Sequence, residues 1–237
     1  RFFYGWWIVA AAASASLINS VSTFYGFGAF FLPIQREFNT SRAALAAVIS
    51  GARIQGSLLG PLEGWLVDHY GPRIMMLIGM FVLGVGFVVI SVAHSLWMFY
   101  GAFIFGIALG ASLGAGTPGS VAVANWFRKK RSTAFGLTNA GFAVGTILVP
   151  VVGWLVVSFG WRGAAMLMGF AIWILGIPLA LVMRHRPEDY GYFPDGAAPS
   201  PQSETSALAV GQVGSVETAE ETNFTPKEAM LSSAFWL

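Results

Sequence analysis

The stretch Gly64-Trp-Leu-Val-Asp68-His-Tyr-Gly71-Pro-Arg73 decides how this chain is read. It crowds glycine, proline and charge between two long apolar runs. So short a reversal needs one residue that tolerates positive φ and one that fixes φ, and Gly71 and Pro72 supply them. Pro72 suits the first turn of the following helix, where its missing N–H is not needed. Asp68 is placed to accept hydrogen bonds from the free N–H groups of that turn, and Arg73 to hold a carboxylate or a phosphate.

The flanking composition says what solvent the chain lives in. It is 56% hydrophobic and 10% charged, whereas a soluble domain carries about a quarter charged residues. Lipid must therefore cover much of the surface. A net charge of +2, with the basic residues clustered, does not suit nucleic acid. The absence of cysteine excludes disulfides, thiolate catalysis and cysteine metal sites. A chain that starts at Arg1 and stops an apolar run at Leu237 reads as a piece of a longer one.

A helix needs about 20 apolar residues to cross a bilayer. Six spans meet that length, at about 4–32, 43–67, 73–93, 96–124, 133–159 and 162–183. Ser41 is a candidate cap for the second, Ala93-His94-Ser95 makes a minimal turn, and Gly160 is placed to end the fifth. With the N-terminus inside, nine Lys and Arg fall on the inner side (Arg73, the 128–131 cluster and Arg184 among them). Three (Arg36, Arg42, Arg162) fall outside. Trp6, Trp7, Trp65, Trp97, Trp126 and Trp161 stand where interface belts are expected. The organisation expected is a bundle over 1–186, a largely disordered cytoplasmic linker over 187–223, and a truncated seventh span over 224–237. Short outer turns suggest a prokaryotic inner membrane.

The quoted stretch resembles the signature loop between helices 2 and 3 of the major facilitator superfamily, G-x-x-x-D-(R/K)-x-G-(R/K)-(R/K). Gly64, Asp68, Gly71 and Arg73 match it; His69 and Pro72 stand where basic residues are usual. The resemblance implies an all-α membrane protein. It would be a six-transmembrane-helix bundle of two inverted three-helix repeats, forming half of the fold. The missing C-terminal half of the same chain would then be a partner, and Gly64, Asp68, Gly71 and Arg73 would serve the gate.

Arg53 is the sharpest local signal. A charge near the middle of a span costs about 2.5–3.5 kcal/mol on insertion scales, so such a residue seeks a wet cavity or a partner. It shares an arc with Ser57, Gly60 and Gly64. An anion contact and a structural ion pair both remain open. Pairing with Glu63 within the helix is disfavoured by roughly 15 Å of axial separation, and Glu63 is expected near the inner interface, beside Arg73. Ser16, Asn19, Thr23 and Gly26 form a polar face on the first span, with Tyr25 beside it and Asn139 on the fifth. These side chains would bind a carboxylate, each other or their own helix backbone. Glycines four apart (Gly56, Gly60, Gly64; Gly106, Gly110, Gly114; Gly141, Gly145) allow close packing, sliding, or both.

A narrower similarity lies in Phe27-Gly-Ala-Phe-Phe-Leu-Pro33, Asn125-Trp-Phe-Arg-Lys-Lys-Arg-Ser132, Gly160-Trp-Arg162 and Arg186-Pro-Glu-Asp-Tyr-Gly. These are similar to monocarboxylate porters and oxalate/formate antiporters, which implies a small organic anion as substrate and protons as a possible coupling ion. No H-E-x-x-H, G-x-S-x-G or P-loop is present, and the three histidines lie in loops on both sides. No enzyme, cofactor or metal site is therefore expected. The expected function is secondary transport by alternating access, with Arg53, Asn19, Thr23, Tyr25 and Asn139 at the substrate. The alternative is an exporter of uncharged or amphipathic compounds in which Arg53 is structural.

Overall fold

The computed structural model describes residues 3–185 together with Pro187 and Tyr190. The expected linker and seventh span therefore lie outside the described residues, apart from those two positions.

The first span is α1 (Gly5–Asn19), a π-helical turn (Ser20–Phe24) and α2 (Phe27–Glu37). The second is α3 (Arg42–Tyr70), opened by the Ser41 hydroxyl accepting from the Ala44 N–H at 3.1 Å. The third is α4 (Pro72–Ser91), with proline in its first turn as the sequence requires. The fourth begins with α5 (Leu96–Gly101), capped by Ser95. It continues through the π-helical Ala102–Ala108, α6 (Leu109–Ala111) and the π-helical Ser112–Gly116 into α7 (Thr117–Trp126). Then come α8 (Arg131–Gly145), a 3-10 turn (Thr146–Leu148) and α9 (Val149–Val182).

By length and apolarity five helical runs can cross a membrane, the last being the 52 residues Arg131–Val182. That run would be about 78 Å long if straight, more than twice a hydrocarbon core of about 30 Å. Gly160, at φ 72° and ψ 164°, divides it. A left-handed backbone there suits glycine, and it turns one run into the fifth and sixth spans. Six crossings result.

Glycine decides how closely they pack. A Cβ built at Gly110 would lie 2.4 Å from Leu83 N, and one at Gly86 2.7 Å from Gly106 C, so the third and fourth spans meet backbone to backbone. The third and sixth pack along most of their length. There the Trp173 indole donates to Phe81 O at 3.1 Å. A Cβ at Gly141 would lie 2.2 Å from Ala13 O, which seats the fifth span on the first. Lipid exerts little hydrophobic pressure between helices, so such small-residue contacts carry the association. Equivalent members of the two triplets behave alike. The third and sixth pair closely, while the second and fifth run at the periphery with long exposed faces.

Two interface expectations are corrected. Trp126 is fully buried and Trp161 nearly so, while Trp7, Trp65 and Trp97 are exposed. Trp126 lies under the rings of Phe3 and Tyr4, and the Trp161 N–H donates to Glu37. An amphipathic indole fits a protein interior once its surroundings supply ring contacts and, at Trp161, an acceptor.

Candidate substrate site and inner gate

The first span breaks where its polar residues cluster. Tyr25 N donates to Ser20 O at 3.0 Å, five residues back, which widens the turn. A Cβ at Gly26 would lie 1.7 Å from Val21 O, so the bent backbone admits only glycine there. Short π-helical turns frequently mark functional positions. Asn19 Oδ1 and Ser20 Oγ are buried without a hydrogen-bond partner among the described residues. The Thr23 hydroxyl lies 3.4 Å from that of Ser22, which bonds back to Ile18 O. Tyr25 is half exposed, and its ring lies 5.9 Å from that of Phe142 on the fifth span. Asn139 is exposed one turn before Phe142. The structure therefore gathers Tyr25 and the fifth-span face that carries Asn139.

Arg53 is exposed on α3 and makes no hydrogen bond or ion pair through its side chain among the described residues. Around α3, the bulky exposed residues Ile54, Leu58 and Trp65 lie roughly 100–140° from it at 100° per residue. On its own side stand Ser50, Ser57, Gly60 and Gly64, with Ile49, 37% exposed, the one bulky apolar residue among them. Arg53 thus belongs to a mainly small, polar face, and none of the first-span candidates hydrogen-bonds to it among the described residues.

At the signature loop, Gly71 has φ 82° and ψ 155°, buried against the His185 ring. Arg73 and His69 line a basic hollow with Arg184, His185 and Tyr190. Arg184 is held 4.0 Å over the Tyr4 ring and 4.3 Å from that of Tyr190. Asp68 departs from expectation. It lies within α3, which runs on to Tyr70, and the start of α4 has no side-chain cap. Gly64 presents its open side to no neighbour among the described residues.

Two pairs were not legible in the sequence. Glu63, expected near the interface beside Arg73, is buried and accepts a hydrogen bond from Ser112 on the fourth span. Glu37, at the end of the first span, pairs with Arg162 at the start of the sixth. The one signal for that pair was that Glu37 is the only acidic residue in the three outer turns.

An apolar bundle of six spans, with glycine-seated contacts, a π-helical turn in its first helix and a charged residue on the second, defines a multi-pass membrane protein. The chain belongs to the Major Facilitator Superfamily, whose family model matches residues 8–236. It is similar to monocarboxylate transporter 14 of Mus musculus, at 28% identity over 94% of this chain and 44% of that protein. To monocarboxylate transporter 12 of Xenopus laevis it is 28% identical over 70% of this chain and 36% of that protein. To monocarboxylate transporter 2 of Homo sapiens it is 31% identical over 70% and 35%. The chain thus spans less than half the length of these relatives. They are carriers, not enzymes, and so is this family.

Proposed function

We propose that this chain forms the N-terminal half of a secondary carrier. It moves a small, monocarboxylate-like organic anion by alternating access, driven by protons or by exchange, with the signature loop facing the cytoplasm. The observation that carries this is Arg53, a guanidinium without a hydrogen-bond or ion-pair partner among the described residues, on a mainly small and polar side of α3. A guanidinium binds a carboxylate through two parallel hydrogen bonds. The π-helical turn in the first span supports the same reading, since such turns frequently mark functional positions. Asn19, Thr23 and Tyr25 would orient the anion, with Asn139 completing the wall. Asp68 and Arg73 would bias the gate through contacts made by the second half. The names of the relatives support a monocarboxylate over larger solutes.

The test is uptake of labelled carboxylates by the full-length protein in liposomes at two pH values. Arg53→Gln abolishes uptake while leaving expression intact. Normal uptake by that variant would overturn the anion site.

A further inference from the structure

Glu37, Glu63 and Asp68 are the acidic residues before position 188, and Glu63 is the one that is buried, at 2% exposure. It stands in the apolar second span, about 10 Å before the end of α3 at Tyr70. One carboxylate oxygen accepts from the Ser112 hydroxyl. The other, Oε1, is enclosed with no hydrogen-bond partner among the described residues. The charged and titratable groups on α3 and on the elements around it are Arg42, Arg53, Asp68, His69 and Tyr70 on α3 itself, Arg36 and Glu37 on α2, Arg73 on α4 and Tyr100 on the fourth span. Among the described residues none of them bonds or pairs with Glu63.

A carboxylate enclosed in a lipid-surrounded bundle, with one hydroxyl donor and no counter-charge among the described residues, calls for a positive partner. The opposite wall departs from regular α-helix. Ser112 opens the π-helical turn Ser112–Gly116, and Pro118 behind it removes a backbone donor. One turn further along α3, Val67 packs with Met75 and Leu113 in a small apolar cluster, on the side of Glu63 toward the turn at Gly71.

We propose that Glu63, with Ser112, is the binding site of the coupling cation, a proton or a sodium ion; this rests on the carrier reading above. A bound proton adds to a carboxylate oxygen and is released to water. A sodium ion takes the same carboxylate and the serine oxygen as ligands. Loading then cancels both embedded charges: the anion neutralises Arg53 and the cation neutralises Glu63, so one monocarboxylate crosses with one cation and no net charge. The Val67–Met75–Leu113 cluster shuts the site from the signature-loop end in this arrangement. Movement of the second span, whose Gly56, Gly60 and Gly64 meet no neighbour among the described residues, parts Glu63 from Ser112 and admits the cation.

The experiment uses the full-length protein in liposomes, with carboxylate uptake driven by a pH gradient in one arm and a sodium gradient in the other. Carboxylate counterflow without any cation gradient runs beside them. Glu63→Gln loses accumulation above equilibrium in whichever arm drives the native protein, and keeps counterflow. Accumulation retained by Glu63→Gln overturns the proposal. Should that variant fail to fold, Ser112→Ala keeps the carboxyl and shifts the midpoint of the cation dependence; an unmoved midpoint overturns it too. Infrared difference spectra of the purified protein, recorded on changing pH or sodium, give a readout without substrate. A carboxyl band lost in Glu63→Gln, or moved in Ser112→Ala, supports the site even where no carboxylate is transported, which would instead sink the carrier reading. No Glu63-dependent band in either titration overturns the site.

Discussion

Arg162 reaches from the start of the sixth span to Glu37 at the end of the first, its Nη2 2.7 Å and its Nε 3.1 Å from Oε1. The same guanidinium donates to Ser91 O at 2.9 Å and Ala93 O at 2.7 Å, where the third span ends. It lies 4.4 Å over the Trp161 ring. One side chain thus ties three spans together. The partners are 33% and 42% exposed, so the ion pair itself contributes only about 0–1 kcal/mol. The carbonyls matter more, because unpaired acceptors at a helix end cost about 1–3 kcal/mol. Arg162→Ala therefore lowers stability by about 1–3 kcal/mol and Glu37→Gln by less than about 1 kcal/mol. Thermal unfolding in detergent checks the ranking; equal losses would place the stabilisation in the ion pair instead.

Two glycines of the signature loop separate turn chemistry from surface. Gly71 holds φ 82°, and an added Cβ would meet His185 Nδ1 at 3.0 Å. Gly71→Ala costs about 1–3 kcal/mol from backbone strain alone, because φ 82° with ψ 155° is a conformation essentially confined to glycine. Gly64 lies in α3 with open space beside it, so Gly64→Ala leaves stability unchanged or raises it by up to about 1 kcal/mol. Unfolding midpoints of the two variants should move apart. A loss of transport in Gly64→Ala at full stability then reports on the face that glycine presents.

The glycine ladders make a parallel contrast. At Gly110 and Gly141 a new methyl would sit 2.4 Å and 2.2 Å from neighbouring backbone. Backbone cannot yield as a flexible side chain does, so Gly110→Ala or Gly141→Ala costs about 1–3 kcal/mol by overpacking. At Gly56 and Gly60 nothing lies within reach among the described residues, and alanine there leaves the midpoint in place. Measured in parallel, these four variants distinguish ladders used for packing from the one left open. Comparable destabilisation at all four would refute that division.

The spans were legible because membrane thickness fixes a run length that composition displays directly. The second run nevertheless extends to Tyr70 rather than stopping at Val67. Charge at Asp68 marks where apolarity ends, whereas helix geometry persists until Gly71 turns the chain. The π-helical turns at Ser20–Phe24, Ala102–Ala108 and Ser112–Gly116 left no trace, since their residues are as apolar or small as the helices around them. Glu37 and Arg162 are 125 residues apart, and no local period reports a pair made by tertiary packing. The partner of Glu63 was missed for a related reason. The depth of Glu63 along α3 was readable, but which neighbour covers it depends on the approach of Ser112. Arg53 was legible because a lone cation in an apolar run is costly wherever it faces.

The cysteine-free sequence allows a direct test of that facing. Single cysteines at Arg53, Ser57, Ile54 and Leu58, in a cysteine-free full-length protein, sample two faces of one helix at the same depth. Arg53 and Ser57 stand on the small, polar face, while Ile54 and Leu58, at 62% and 73% exposure, stand on the bulky apolar one. A face lining a water-filled path reacts with a charged, membrane-impermeant thiol reagent, because only the ionised thiolate in water is a good nucleophile. A face against hydrocarbon does not. Arg53→Cys and Ser57→Cys should therefore label and Ile54→Cys and Leu58→Cys should not. Added carboxylate should slow labelling at Ser57, where Arg53 is intact, and leave it unchanged at Arg53→Cys, which has lost the guanidinium. Labelling confined to Ile54 and Leu58 would turn Arg53 toward lipid and remove it from the substrate path.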